Sequence, residues 1–151
     1  TLGSHTLVIT DHNGAFQPNA QPRIRFTQAG AVMKEDSITR WHGQLAFVNP
    51  PFSDLTTWIN RCADAWENGE VGIVIGLFPA RTETAVFRDR IFGVADVLLL
   101  RGRLSFHDEE QNKMAAAPFA VMLCVWGSPR ESTSKFAEIA GASVIWADRN
   151  N

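Results

Sequence analysis

The stretch "QLAFVNPPFSDLTTWINRCADAWENGEVGIVIGLF" (residues 44–78) contains a strand, a loop, a helix and a second strand in direct succession. Residues 44–48 have the length and apolar centre of a strand. Residues 54–69 place apolar side chains at helical spacing. Residues 71–78 are apolar at both odd and even positions, as is typical of a strand covered on both faces. This pattern predicts an α/β fold with a mostly parallel sheet.

The predicted helix carries one apolar stripe, with apolar side chains at i, i+3, i+4, i+7, i+8 and i+11. These residues are Leu55, Trp58, Ile59, Cys62, Ala63 and Trp66. We expect Ser53 or Asp54 to cap the first turn and Gly69 to end the helix. Trp58 and Trp66 fall on the stripe, so we expect both to pack in the core.

Further strands and helices are predicted on both sides of this unit. Strand character occurs at residues 5–10, 24–26, 97–100, 104–106, 118–126 and 143–146, and helical character at 82–92 and 132–140. We expect Thr82 to cap the first of these helices and Phe87, Ile91 and Phe92 to face inward. Residues 97–106, with the turn "RGR", are expected to form a strand or a hairpin.

The composition fits one globular domain. The chain has 151 residues, 45% of them apolar, and a formal net charge of −2, so an overall basic footprint for nucleic acid is missing. No apolar run approaches the ~20 residues that span a bilayer, and no signal peptide is visible. Because the chain begins at Thr1 and carries "GSH" at residues 3–5, typical of a cloning scar, we expect the natural N-terminus to be missing.

The cysteine and histidine spacings do not predict a metal site. Cys62 and Cys124 both lie in apolar periodic segments, and no Cys or His spacing is typical of zinc. We therefore expect two buried free thiols in a reducing compartment.

The loop after the first strand is stiff and rich in acceptors. Asn49 precedes Pro50, Pro50 precedes Pro51, and a residue before proline is held extended. Two prolines also fix φ at about −65° twice and remove two N–H donors. What remains is the side-chain oxygen of Asn49, the carbonyl of Pro50 and the flat apolar face of Phe52.

Two fixed acceptors beside an aromatic ring suit a planar ligand that carries an NH₂ group. The lone pair of such an amine is delocalised, but it can be directed at an electrophile when both N–H bonds point at acceptors. A nucleic-acid base presented in this way must leave the duplex. The alternative is an ordinary loop, with Asn49 bonding locally and Phe52 in the core.

Four short segments extend this interpretation along the chain. They are "NPPF" (49–52), "PARTET" (79–84), "RGRLSF" (101–106) and "APF" (117–119). Together they resemble the phage-type DNA N6-adenine methyltransferase (Dam-like) family, whose members carry these segments in this order. The resemblance covers about residues 44–127, and the four segments are specific as a set.

The resemblance implies a Rossmann-like S-adenosylmethionine-dependent methyltransferase sheet in one domain, residues 1–151. The N-terminal half is expected to be abbreviated, because only about 48 residues precede the loop. The implied catalytic residues are Asn49, Pro50, Pro51 and Phe52. S-adenosylmethionine would lie across the strand ends with its methyl group facing Asn49. Asp11 is the first candidate for cofactor contact and Asp36 the second.

The resemblance also implies a DNA partner, with the target adenine flipped from a duplex or taken from a single strand. Arg81, Arg101 and Arg103 are the candidate DNA contacts, since arginine suits phosphate and planar-edge recognition. Arg88 and Arg90 rank lower because they lie within a predicted helix. No membrane or metal is expected, the implied location is the cytoplasm of a bacterial host cell, and binding should weaken quickly with salt.

Two other functions stay open from the sequence. Loops of the NPP-aromatic type also serve methyltransferases that act on RNA bases or on a glutamine side-chain amide in proteins. The chain could also be a methyltransferase-like domain without catalysis that binds DNA or a partner, because "DHNGAF" (11–16) replaces the family's usual run of small residues.

Overall fold

The computed structural model describes residues 6–10, 32–33, 41, 43–50, 52–102, 105–107, 113–116 and 119–148. The strands are β1 (Thr6–Thr10), β2 (Val32–Met33), β3 (Gly43–Asn49), β4 (Val71–Pro79), β5 (Asp96–Leu99), β6 (Ser105–His107), β7 (Lys113–Ala116), β8 (Val121–Trp126) and β9 (Ser143–Ile145). The helices are a 3₁₀ turn (Phe52–Asp54), α1 (Leu55–Glu67), a π-helix (Phe87–Ile91) and α2 (Arg130–Ala140).

Seven of these strands form one mixed sheet in the order β2-β1-β3-β4-β8-β5-β9. The pairings from β2 to β4 are parallel, whereas those of β4 with β8, β8 with β5 and β5 with β9 are antiparallel. The α/β class is confirmed, and the prediction of a mostly parallel sheet holds in part: five of the seven strands share one direction, but three of the six pairings are antiparallel. Periodicity reports which faces of a strand are covered, and it carries no information on strand direction.

Strands β6 and β7 form a separate antiparallel pair. The prediction of a hairpin within residues 97–106 is therefore wrong, because β5 lies in the large sheet and β6 pairs with β7. The predicted strand at 24–26 lies outside the described residues. The short strand β2 was predicted as loop, and two residues are too few to show a period.

Both faces of the sheet are covered by helices. Alternate side chains of β3, β4 and β8 form one cluster with α1 and the π-helix; it includes Val48, Val74, Phe78, Met122, Cys124, Trp126, Ile59, Cys62 and Ile91. The side chains between them form a second cluster with α2; it includes Ile75, Leu77, Leu98, Leu123, Val125 and Ala137. The two clusters make β4 and β8 the buried centre of a three-layer arrangement.

Helix α1 follows the sequence prediction closely. Its apolar stripe faces the core: Ile59, Cys62 and Ala63 are buried, and the partly buried Leu55, Trp58 and Trp66 pack against the core cluster. Asp54 occupies the N-cap position without a side-chain capping bond. Gly69 has a φ of +71°, which is the left-handed conformation that ends many helices.

The second helix is shorter than predicted and starts later. Phe87 and Ile91 are buried as expected, but Phe92 is 47% exposed, so its predicted inward position is wrong. Thr82 does not cap the helix. The hydroxyl oxygen of Thr84 instead accepts the N–H of Phe87 at 3.3 Å. A π-helix has a wider turn than an α-helix, which shifts the residues that face the core.

A buried ion pair joins the start of β4 to α1 and to the segment before β3. Arg61 donates to both carboxylate oxygens of Glu70, at 2.7 and 3.2 Å. The backbone N–H of Trp41 donates to Glu70 Oε1 at 2.8 Å, and the guanidinium of Arg61 lies 4.5 Å from the centre of the Trp41 ring. Because the Glu70 side chain is only 5% exposed, this network fixes Trp41 two residues before β3.

Glu70→Gln should lower the free energy of unfolding by about 3 kcal/mol, because it leaves the Arg61 guanidinium without its counter-charge in a buried site. Chemical denaturation of the two proteins measures the difference. Glu138→Gln is the matched control on the exposed face of α2 and should change the free energy by less than about 0.5 kcal/mol. Equal effects of the two substitutions would contradict a special role for the buried pair.

Candidate active site

The strand directions bring the ends of four segments to one edge of the sheet. Strands β3, β4 and β5 point the same way, so their carboxyl ends lie at one edge, and β8 runs against them and begins there. Pro79 pairs with Val121, and Leu99 pairs with Met122. The "NPPF", "PARTET", "RGRLSF" and "APF" segments adjoin these four strand ends. We call this the motif edge of the sheet.

The motif edge also contains a change in the direction of sheet growth. Strand β2 lies on one side of β1 and strand β3 on the other, and Thr10 at the end of β1 is opposite Asn49 at the end of β3. In open α/β sheets a crevice forms outside the carboxyl ends of the strands where the order reverses, and ligands bind there. Asn49 therefore lies beside the position at which this sheet type holds a ligand.

The catalytic loop predicted from sequence begins at this position. Asn49 is the last residue of β3 and is half-buried, Pro50 is buried, and the backbone of Phe52 starts the 3₁₀ turn that leads into α1. Pro51 lies outside the described residues. The half-buried Asn49 at a strand end fits a side chain with access to a ligand better than one sealed in the core.

A cleft of about 310 Å³ lies between the start of α1 and the end of β4. Its lining residues come from both segments; they are Ser53, Asp54, Leu55, Thr56, Pro79, Arg81 and Thr84. The volume is at the lower end of the range for small-molecule sites. The cleft thus brings the residues that follow the "NPPF" loop together with the "PARTET" segment.

Hydrogen bonds hold the backbone of the "PARTET" segment in place. The N–H of Ala80 donates to the carbonyl of Ala120 at 2.9 Å, which continues the pairing with β8 beyond its last ladder residue. The hydroxyl of Thr84 donates to the carbonyl of Arg81 at 2.8 Å while its oxygen accepts the N–H of Phe87. Thr84 thereby connects the turn at Arg81 to the following helix.

The Arg81 side chain extends to the surface at the cleft. Its Nε donates to Glu83 Oε1 at 2.7 Å, and the two side chains are 61% and 63% exposed. The hydrogen bond from Arg81 lowers the pKa of Glu83 below its usual value, so the carboxylate is charged at neutral pH. The guanidinium of Arg81 thus combines surface exposure with an adjacent negative charge.

The other two segments place an arginine and an aromatic ring at the same edge. Arg101 is exposed in the turn that follows β5, and Gly102 beside it has a φ of +75°, which favours glycine. Phe119, two residues before β8, is 37% exposed. Arg103, Asp11 and Asp36 lie outside the described residues, although β1 and β2, which precede the two aspartates in sequence, end at the motif edge.

Comparison with known protein families gives one match. The model of the family described as DNA N-6-adenine-methyltransferase (Dam) matches residues 19–142, which is more than half of the chain. The chain belongs to the Dam family. The same comparisons found no match among curated proteins or among solved structures.

Membership in the Dam family supports methyltransferase activity on adenine in DNA. The matched region contains all four segments of the motif edge, and it contains Asp36 but not Asp11. The resemblance identified from the sequence is thereby confirmed at the level of the family.

Several residues in or beside the cleft and the motif edge were not given a functional role from the sequence. Ser53 and Thr56 line the cleft; the sequence marked Ser53 only as a candidate helix cap, and nothing in the pattern marks Thr56. Glu83 is the fifth residue of "PARTET", and no role was assigned to it. Phe119 belongs to a segment that matched the family, so its signal was present but had no assigned role.

Arg90 has a structural role instead of facing the motif edge. Its guanidinium donates to Asp64 Oδ1 at 2.7 Å and to Asn60 Oδ1 at 3.1 Å, which attaches the π-helix to α1. Its carbonyl accepts the indole N–H of Trp126 at 3.1 Å. The low rank given to Arg90 from the sequence agrees with this arrangement.

The two cysteines are buried free thiols in the core. Burial raises the pKa of both Cys62 and Cys124 far above the usual thiol value, so neither supplies a thiolate nucleophile at neutral pH. Among the described residues, no group of three His, Cys, Asp or Glu side chains is arranged to hold a metal ion. Within that same part of the chain, every helix is too short or too polar to cross a bilayer.

Thr84→Ala should lower the free energy of unfolding by about 1 kcal/mol, because it removes the hydroxyl that caps the helix and bonds the Arg81 carbonyl. Thermal or chemical denaturation measures the change. Thr82→Ala is the matched control in the same segment and should stay within about 0.5 kcal/mol of the parent. A larger loss at Thr82 than at Thr84 would show that the capping geometry is assigned to the wrong threonine.

Proposed function

We propose that this chain transfers the methyl group of S-adenosylmethionine to the N6 amine of adenine in DNA. The observation that carries the proposal is the convergence of the four matched segments at one edge of the sheet. They are far apart in sequence, and only the pairing of β3, β4, β8 and β5 brings their ends together. Such convergence favours one shared site over four unrelated loops.

Asn49 and Pro50 would orient the amine. The side-chain carbonyl of Asn49 and the backbone carbonyl of Pro50 each accept one N–H of the adenine NH₂ group. The nitrogen lone pair is then directed away from the ring plane, and the two acceptors stabilise the positive charge that develops on nitrogen. Pro51 keeps the loop rigid, and Phe52 stacks on the base.

The crevice expected outside the ends of β1 and β3 is the proposed cofactor site. Its position at the reversal of strand order, with Thr10 opposite Asn49, is where nucleotide-type ligands bind in related sheets. Asp11 and Asp36 follow the two strands that end there, and their carboxylates would accept hydrogen bonds from the ribose hydroxyls or the amino group. S-adenosylmethionine supplies an electrophilic methyl group on a sulfonium centre when it is bound.

DNA would lie along the motif edge. Strand spacing in a sheet is about 4.8 Å, so the ends of β3 and β5 are about 14 Å apart, which is close to four base-pair steps of about 3.4 Å. Arg81, between these ends, and Arg101, beyond β5, can therefore contact phosphates or base edges beside the target adenine. Arg103 follows Arg101 by two residues in the sequence and is the third proposed contact.

The sheet supports a domain assignment as well. Helices on both faces and the reversal of strand order favour a Rossmann-like methyltransferase sheet, and we propose that residues 1–151 form one such domain. We propose the bacterial cytoplasm as its location, in agreement with a DNA substrate and two reduced thiols.

Asn49→Ala should reduce methyl transfer to DNA by at least about a hundredfold, because it removes an acceptor that acts on developing charge. The measurement is incorporation of labelled methyl groups from S-adenosylmethionine into plasmid DNA. Asn68→Ala, at the exposed end of α1, is the control with the same chemical change and should leave the rate unaltered. Equal rates for the parent and Asn49→Ala would overturn the proposed mechanism.

Calorimetric titration with S-adenosylmethionine separates catalysis from a binding role. We expect binding by the parent chain and by Asn49→Ala, because the Asn49 side chain acts on the amine and not on the cofactor. Absence of binding at millimolar ligand would favour a DNA- or partner-binding module without catalysis. Cofactor binding with methyl transfer to RNA or to a protein amide, but not to DNA, would favour the other acceptors.

Arg81→Gln and Arg101→Gln should each weaken binding to a duplex and reduce the slope of log K against log salt by about 0.9, because each loses one phosphate contact. Fluorescence anisotropy at several salt concentrations measures the affinity and the slope. Arg130→Gln is the matched control, since α2 begins at the opposite edge of the sheet. A loss at Arg130 equal to that at Arg81 would contradict DNA binding at the motif edge.

A further inference from the structure

The fifth residue of the "PARTET" segment, Glu83, is charged and contacts the proposed DNA contact, Arg81. Glu83 Oε1 accepts a hydrogen bond from Arg81 Nε at 2.7 Å. The Nη1 and Nη2 groups of Arg81 have no hydrogen-bond partner among the described residues. One carboxylate oxygen therefore occupies one donor of a guanidinium that presents five.

The Arg81–Glu83 ion pair can break and form again at little cost in free energy. Both side chains are more than half exposed, and an exposed pair of this kind contributes little to stability because water and salt screen it. A phosphate offers Arg81 the same interaction with a more strongly charged group. The pair therefore does not lock Arg81, but it does place a negative charge where a phosphate would bind.

We propose that Glu83 competes with a DNA phosphate for Arg81 and thereby weakens DNA binding at the motif edge. This inference rests on the proposed function, since it concerns the same DNA contact. When a phosphate binds, Arg81 exchanges its ion pair with Glu83 for an ion pair with the phosphate. Glu83 then takes up a cation from solution. That uptake offsets one of the cations that the DNA releases, so the parent protein shows a shallower dependence on salt than its arginines alone would give.

Glu83→Gln tests the proposal with minimal change in shape. The glutamine amide oxygen can still accept from Arg81 Nε, but the negative charge is removed. Anisotropy titrations with a fluorescent duplex should show binding about two- to fivefold tighter at low salt. The slope of log K against log salt should become steeper by up to about 0.9.

Two further variants separate the proposed competition from a general effect of charge. Glu131→Gln removes an exposed carboxylate that is likewise paired, with Lys135 Nζ at 3.4 Å, but that lies at the start of α2 beside the opposite edge of the sheet, and it should leave both the affinity and the slope unchanged. In Arg81→Gln/Glu83→Gln, the second substitution should give no gain over Arg81→Gln alone, because the arginine through which Glu83 acts is gone.

The pattern of results distinguishes the inference from the function on which it rests. If the parent binds the duplex and Arg81→Gln weakens binding, but Glu83→Gln binds equally or more weakly, the competition is overturned while DNA binding stands. The competition is also overturned if the gain from Glu83→Gln persists without Arg81. If the parent fails to bind DNA even at low salt, both the inference and the proposed function are overturned.

Discussion

Strand direction in the central sheet is the constraint on which the rest of the site depends. β3, β4 and β5 are aligned, and β8 lies between β4 and β5 in the opposite direction. This arrangement brings three carboxyl ends and one amino end to a single edge. Had β8 run parallel to its neighbours, the segment before it would lie at the far edge of the sheet. The ladders of β8 with β4 and β5 therefore hold the site together as much as any side chain in it.

The arginines differ in where their charges lie: some are paired with acidic residues around α1, and others are exposed at the motif edge. Arg61 and Arg90 form ion pairs that attach α1 to its neighbours; the Arg61–Glu70 pair is buried, whereas Asp64, the partner of Arg90, is 49% exposed. Arg81 and Arg101 extend from strand ends into solvent. A chain with a net charge of −2 can thus present positive charge locally at one edge while Arg61 and Arg90 attach α1 to its neighbours.

The sequence was sufficient for the parts of the fold that have a clear period. The β3-α1-β4 unit, the burial of β4 and β8, and the positions of Trp58 and Trp66 follow from spacing alone. It was not sufficient for strand direction, because a buried strand has the same composition whether it runs parallel or antiparallel. Nor did it reveal the π-helix, since a single wide turn shifts the period by one residue and exposes Phe92.

For the site, the sequence predicted the loop in which two prolines restrict the backbone. It did not predict the cleft, which is lined by residues of ordinary sequence. Two prolines after Asn49 identify a rigid loop of acceptors without any structure. The cleft between Ser53 and Arg81 has no local signature, because it arises from two segments that meet only after β3 and β4 have paired. The position of Glu83 beside Arg81 likewise depends on the turn that Thr84 holds.

Hydrogen–deuterium exchange tests most directly whether the motif edge is the site of ligand binding. The protein would be compared alone and with a DNA duplex plus S-adenosylhomocysteine, and exchange would be followed in peptides from both edges of the sheet. Our account predicts slower exchange at residues 79–84, 99–102 and 119–121 and no change at residues 127–130 and 67–71 of the opposite edge. Protection confined to the opposite edge, or an equal effect at both edges, would contradict it.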